Sequence, residues 1–146
     1  MANMYSTDEI LDAMSLSSEL KLQGYGMFCS LPAGKARQIC NGVGPEWLPA
    51  KYREILDKRY YILRVAAMIH DVEYYLGTGT DEDFHAANDA LRINGIALAK
   101  HYYPWWSLMR YLVMHDAHVL AKVCDKFGRK AYNEAIMERI KAESGA

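Results

Sequence analysis

Residues 65–89 read VAAMIHDVEYYLGTGTDEDFHAAND, and this stretch decides the fold of the chain. The apolar residues before the glycines recur at helical spacing, which predicts a helix. The GTGT segment forms a tight turn, and Asp81 or Asp83 is expected to cap the helix that follows. Two helices joined by so short a connection pack side by side in opposite directions. The stretch therefore predicts a central antiparallel helix pair.

Helical patterns continue on both sides of this pair. Near the N-terminus, Thr7, Asp8 and Glu9 stand before an apolar periodic run and signal the start of a helix. From residue 29 to residue 49, prolines and glycines interrupt the pattern, so this part is predicted mainly as loop. The predicted helices cover residues 7–22, 52–56, 60–76, 81–102, 105–127 and 130–142, with a helical turn at 35–39. No segment has the pattern of a strand, and we expect residues 1–146 to form one all-α domain.

Composition narrows the classes of function. A chain of 146 residues has the usual size of one domain. Its 17 basic and 18 acidic residues nearly cancel, so no strong positive field favours nucleic acid as a partner. Cys29, Cys40 and Cys124 cannot all pair with one another and lack the spacing of a zinc site, which indicates reduced thiols. Residues 1–20 contain no long apolar run, so we expect a cytoplasmic protein without signal peptide or transmembrane segment.

His70 and Asp89 are the candidate catalytic residues. His70 stands seven residues before Gly77, and Asp89 stands eight residues after Asp81. In a helical hairpin both side chains therefore lie at the same height, roughly 10–12 Å from the turn. A carboxylate that bonds one imidazole nitrogen fixes the tautomer and leaves the other nitrogen as a general base. The spacing predicts a His70–Asp89 pair that activates water.

Further oxygen donors surround this pair in the sequence. Asp71 lies about 100° round the helix from His70, so its carboxylate points to a neighbouring site and is a candidate metal ligand. Calcium prefers several oxygens, and the loop at Asn41, Gly42 and Gly44 can turn backbone carbonyls inward. Tyr74, one turn after His70, is expected to hold a carboxylate with its hydroxyl. These residues together predict a calcium site beside the histidine.

Three of these segments carry a resemblance to a known family. The motifs CNGVGP at 40–45, HDVEY at 70–74 and AND at 87–89 resemble the phospholipase A2 superfamily, which has a G-x-G calcium loop, an H-D-x-x-Y helix and a later aspartate on an antiparallel helix. In closer detail the chain is similar to small uncharacterised bacteriophage-encoded proteins, which share these motifs and a C-terminal F-G-x-x-A-Y, here at 127–132. The resemblance implies a helix pair of the phospholipase A2 type.

The same resemblance implies roles for the residues. His70 is the implied base, Asp89 orients it, and Asp71 binds Ca²⁺ together with the carbonyls of the 41–44 loop. The expected function is calcium-dependent hydrolysis of a lipid or phospholipid ester by water. The alternative is a non-catalytic phage protein that uses the scaffold to bind a host protein or a small-molecule ligand. A third hypothesis is a virion component that delivers lipase activity, so the expected location is the host cytoplasm or the virion.

A second His-Asp pair gives a competing interpretation. His115, Asp116 and His118, with the earlier segment AAMIHD, suggest a helical metal-dependent phosphohydrolase. That family needs another histidine on an earlier helix, and none precedes His70 in the sequence. For His115 and His118 we instead favour the simpler interpretation that they lie on a solvated helix face.

Aromatic side chains cluster at the junction between two predicted helices. The cluster comprises Tyr102, Tyr103, Trp105 and Trp106, with Pro104 between its halves. Such side chains suit an interfacial contact with lipid or with a partner protein. They also pack under turns, and the sequence leaves both interpretations open.

Overall fold

The computed structural model describes residues 5–40 and 49–145, and these residues form eight α-helices and no strand. The prediction of an all-α fold is confirmed. The helices are α1 (Thr7–Glu19), α2 (Tyr25–Cys29), α3 (Ala33–Ile39), α4 (Ala50–Lys58), α5 (Tyr60–Tyr75), α6 (Asp81–Tyr102), α7 (Leu108–Phe127) and α8 (Arg129–Ser144). Within the described ranges, no helix is long and apolar enough to cross a lipid bilayer.

The central pair forms where the sequence predicted it, with α5 and α6 joined by a short turn. The cap of α6 differs from the prediction by one residue. Thr80 is the N-cap, and its side chain accepts a hydrogen bond from the backbone nitrogen of Asp83 at 3.2 Å. The Asp83 carboxylate instead accepts a hydrogen bond from the Thr78 hydroxyl at 2.6 Å. Threonine is a somewhat weaker N-cap than aspartate, so the position at which the turn ends decided the choice.

Helix α5 lies at the centre of the packing, since α1, α2, α3, α6 and α8 all contact it. Helix α6 contacts α7 most extensively and α5 next, and α8 closes over α5 and α7. Buried Asn94 joins α6 to the N-terminal part of the chain, because its amide accepts from the Gln23 nitrogen at 2.7 Å and donates to the Gln23 oxygen at 2.9 Å. Helices α5, α6 and α7 therefore form the scaffold that positions the polar residues described below.

Gly95 allows α6 and α7 to approach closely. A Cβ atom at Gly95 would lie 2.5 Å from the Cβ of Ala117. We therefore expect Gly95→Ala to lower the free energy of unfolding by about 1–3 kcal/mol, although alanine favours helices. Gly34→Ala is the matched control in α3, because a Cβ there meets nothing within 4 Å. Urea denaturation of both variants checks this, and equal stabilities would show that the α6–α7 contact is not tight.

Candidate functional site

His70 faces α6 from the middle of the core. It is 7% exposed, and its Nε2 lies 2.8 Å from Oδ1 of Asn88. Asn88 is fully buried on α6, so the two residues meet across the antiparallel pair at the same height above the turn. The predicted meeting of the two helices is thus observed, with a different partner for the histidine.

The prediction that Asp89 orients His70 is wrong. Asp89 lies on the exposed side of α6, and its Oδ1 accepts hydrogen bonds from the Arg92 guanidinium, the shorter at 2.7 Å. One residue along a helix rotates the side chain by about 100°, which turns Asp89 out of the helix pair and Asn88 into it. A neutral amide therefore occupies the position where the sequence predicted a carboxylate.

Asn88 is the centre of a hydrogen-bond network whose direction can be assigned. Its Nδ2 donates to Oδ1 of Asp125 at 2.7 Å, so its Oδ1 is an acceptor. The Tyr74 hydroxyl donates to this oxygen at 2.6 Å, and the Nε2–H of His70 also donates to it. This assignment follows from the network and leaves Nδ1 of His70 without a proton. Tyr74 therefore lies in the same network as His70, but it holds an amide oxygen and not the carboxylate that the sequence predicted.

The network reaches the surface through Asp125 of α7. His85 on α6 also bonds to Asp125, with 2.9 Å between its Nδ1 and the same carboxylate oxygen. Both side chains are about half exposed, at 59% for His85 and 47% for Asp125. The polar chain thus runs from buried His70 through Asn88 to a solvated carboxylate. Buried His70 is therefore linked through Asn88 to the carboxylate of Asp125 without contacting that carboxylate directly.

Burial controls the protonation of His70. Desolvation lowers the pKa of His70 to about 4, and the Asn88 hydrogen bond and the Asp125 charge oppose the shift only in part. The imidazole is therefore neutral at pH 7. Its ring also packs on Tyr74 with 4.1 Å between the ring centroids. A neutral, packed imidazole that donates from Nε2 is well suited to join helices.

Asp71 is placed differently from the expected calcium ligand. Burial raises the pKa of Asp71 well above its usual range, and its Oδ2 is buried without a hydrogen-bond partner. Its charge also raises the pKa of the Cys40 and Cys124 thiols, after burial itself. No group of three or more His, Cys, Asp or Glu that suits a metal occurs in residues 5–40 and 49–145. One carboxyl near two thiols is not the oxygen-rich set that calcium prefers, so the described donors do not fit the ion.

The other predicted calcium ligands are Asn41, Gly42 and Gly44, and they lie outside the described residues. The calcium site therefore stays a prediction. All three cysteines are free, as the sequence indicated. Cys40 is buried, and its thiol donates to the carbonyl oxygen of Met68 at 3.5 Å. The chain just before the predicted loop is thereby attached to α5.

The segment at residues 127–132 docks on the turn between α5 and α6. Tyr132 is fully buried, and its hydroxyl accepts a hydrogen bond from the Gly79 nitrogen at 2.9 Å. The Arg129 guanidinium donates to the Gly79 oxygen at 3.0 Å and to the Asp81 carboxylate. Tyr132 also packs edge-on against Tyr74, with ring centroids 5.1 Å apart. The motif holds the hairpin turn closed and supports the Tyr74 side of the network.

The second His-Asp pair does not form a site of its own. His115 and His118 are exposed on α7, as the solvated-face interpretation predicted. Asp116 pairs with Arg59 at 2.9 Å. The phosphohydrolase interpretation requires a cluster of metal ligands, and the described part of the chain has none.

The aromatic junction forms a strongly exposed apolar surface. We call it the aromatic tip, and it consists of Tyr102, Trp105, Trp106, Leu108, Tyr111 and Leu112. Trp105 is 73% exposed and Trp106 is 71% exposed. The Tyr111 hydroxyl donates to the Trp105 carbonyl at 2.7 Å, which ties the turn to the start of α7. These side chains do not pack under the turn, whereas Tyr103, which the sequence placed in the same cluster, is half-buried against the core.

Sequence reasoning missed Asn88, His85 and Asp125 as members of the network. Asn88 is adjacent in sequence to the predicted Asp89, and only the rotation of α6 about its axis decides which of the two faces His70. Asp125 is 37 residues further along the chain, and no spacing rule connects it to α6. No protein-family model, curated protein or solved structure matches the chain, so the candidate roles of these residues rest on their geometry.

Proposed function

We propose that this protein is a binding protein that attaches to its partner through the aromatic tip, with the His70 network as part of the scaffold. The exposure of Trp105 and Trp106 carries this proposal. Tryptophan is among the side chains that contribute most to binding energy, and a cluster of exposed large apolar residues marks an interaction surface. Burial of such side chains against a partner releases the water that they now hold in place.

The backbone of the aromatic tip is already ordered for binding. The Ser107 nitrogen donates to the Pro104 oxygen at 3.0 Å, and the Arg110 nitrogen donates to the Ser107 oxygen at 3.2 Å. The Tyr111–Trp105 hydrogen bond closes the same turn. A surface whose backbone is fixed before binding loses less conformational entropy when a partner docks. This favours a role in binding over a role as a flexible linker between α6 and α7.

The environment of His70 supports a binding protein over an ester hydrolase. A general base is most effective when its pKa lies near the working pH, and His70 has a pKa of about 4. Asn88 supplies an amide where the hydrolase hypothesis needs a carboxylate to stabilise the imidazolium. Along α6, Asn88 and Tyr102 are roughly 20 Å apart at 1.5 Å per residue, so the aromatic tip does not deliver a ligand to His70.

A double variant, Trp105→Ser with Trp106→Ser, tests the proposal. We expect its free energy of unfolding to stay within about 0.5 kcal/mol of wild type, because exposed side chains contribute little to folding. Binding of the apolar fluorescent probe anilinonaphthalene sulfonate should fall sharply. Phe84→Ser, a change to a side chain only 2% exposed, is the control and should lose about 3–5 kcal/mol.

Two results would contradict the proposal. A loss of more than about 2 kcal/mol in the double tryptophan variant would make both side chains structural. If the protein hydrolyses a phospholipid or a simple ester, and His70→Ala abolishes that activity, the function lies in the buried His70 network. Both measurements use the full chain and need no knowledge of the partner.

A further inference from the structure

We infer that the partner of the aromatic tip is an anionic lipid surface, an inference that rests on the proposed binding function. The shape of the aromatic tip supports this. Trp105 and Trp106 occupy the turn that joins α6 to α7, at the end of a helical hairpin. Leu108, 72% exposed, follows directly on the first turn of α7. A projecting apolar end suits insertion into a fluid interface, which adapts its own shape to the protein.

The charges around the aromatic tip also favour an anionic surface. From residue 90 to residue 115 the chain contains no aspartate or glutamate. The same stretch carries Lys100 and His101 in the last turn of α6 and Arg110 in the first turn of α7. The acidic residue that follows this stretch is Asp116, and its carboxylate is paired with Arg59 at 2.9 Å. The surroundings of the aromatic tip in the sequence are therefore basic, although the whole chain has a net charge of −1.

The order of these groups along the hairpin matches the layers of a bilayer. The tryptophans lie at its end, and Lys100 and Arg110 lie within about one helical turn behind them, roughly 5 Å. Tryptophan prefers the head-group level of a bilayer, and amphipathic surfaces bury their apolar side by about 5–10 Å. At that depth the basic side chains reach the lipid phosphates. Each such basic group strengthens binding to an anionic bilayer by about fivefold.

Vesicle sedimentation tests the inference with the full chain. Wild type should sediment with vesicles of phosphatidylcholine and phosphatidylglycerol and bind phosphatidylcholine alone much more weakly. Trp105→Ser with Trp106→Ser should lose about tenfold or more in affinity. Lys100→Gln with Arg110→Gln should lose about 25-fold on anionic vesicles only, since two basic groups act. Lys130→Gln with Lys141→Gln, which changes two exposed lysines of α8, is the charge-matched control and should bind like wild type.

The outcomes separate the inference from the proposed function. Absence of vesicle binding by a wild type whose tryptophans still bind the apolar probe overturns the lipid inference and leaves the binding function standing. Concentration-dependent dimers that the double tryptophan variant abolishes also overturn it, in favour of a second copy of this chain. Equal binding to neutral and anionic vesicles rejects the role of the basic groups. Loss of both vesicle and probe binding in the tryptophan variant supports both the lipid inference and the proposed binding function.

Discussion

Asn88→Ala is expected to lower the free energy of unfolding by about 3–5 kcal/mol, one of the two largest effects that we predict. The change removes the acceptor of the His70 Nε2–H and of the Tyr74 hydroxyl, both buried. Each buried polar group without a partner costs about 1–3 kcal/mol. The Asp125 carboxylate is half exposed and can turn to water, so its lost hydrogen bond adds little. Urea denaturation at neutral pH measures the effect.

Asp89→Ala is the matched control for this prediction. It changes the adjacent residue on the same helix, but its carboxylate is exposed and bonds only to nearby Arg92 within the described structure. Surface ion pairs contribute about 0–1 kcal/mol, so Asp89→Ala should stay within that range. A larger loss for Asp89→Ala than for Asn88→Ala would contradict the assignment of Asn88 as the partner of His70. Nitrogen-15 chemical shifts of the imidazole provide a second readout, because the network requires the proton on Nε2.

These two neighbouring residues show how far the sequence determines the site. The hairpin was predictable, because its glycine turn lies between two periodic segments. The height of the partner above the turn was also predictable, because each residue of a helix adds about 1.5 Å. The side that faces α5 was not, since the crossing of two helices depends on how their side chains pack along the whole contact. An error of one residue was enough to predict a carboxylate where the structure has an amide.

The aromatic tip shows a different limit of the sequence. A run such as YYPWW has the same composition whether it packs under a turn or projects into solvent. Only the direction in which α7 leaves the turn decides between the two. In the structure, the first turns of α7 expose Leu108, Tyr111 and Leu112, and the Tyr111 hydroxyl bonds to the Trp105 carbonyl, so these side chains lie close to the turn that carries the tryptophans. Exposure of single apolar residues is ordinary, whereas their grouping on an ordered turn supports a binding role.

Glu73→Gln is expected to remove a pH-dependent loss of stability, the second large effect. Glu73 lies on α5 near the start of α2, with its Oε1 buried and without a hydrogen-bond partner. Burial raises the pKa of Glu73 from 4.5 to about 8. The folded state therefore holds a proton that the unfolded chain has released, and this contribution to stability is present below pH 4.5 and lost as pH rises through 8.

The ionisation of His70 changes the stability with pH in the opposite direction, so the effect of Glu73 is measured as a difference between two proteins. The pKa of His70 falls from 6.5 to about 4 on folding, so its contribution is present above pH 6.5 and lost as pH falls toward 4. The His70 contribution is the same in wild type and in Glu73→Gln and cancels in their difference. That difference should shift in favour of the variant by roughly 4 kcal/mol between pH 4.5 and alkaline pH. Urea titrations of both proteins over this range measure it.

Glu138→Gln, which changes an exposed carboxyl of α8, is the control for a nonspecific effect of removing one acid. Asp71 contributes with the same sign as Glu73, because burial also raises its pKa, but it is present in all three proteins. Residual loss of stability in Glu73→Gln between pH 6.5 and 9.0 is therefore assigned to Asp71, because the buried Cys40 and Cys124 thiols add their own loss only above 9.0. A difference between wild type and Glu73→Gln that does not change with pH would mean that Glu73 ionises in the folded state at the same pH as in the unfolded chain. Water would then have to reach the contact between α5 and the start of α2.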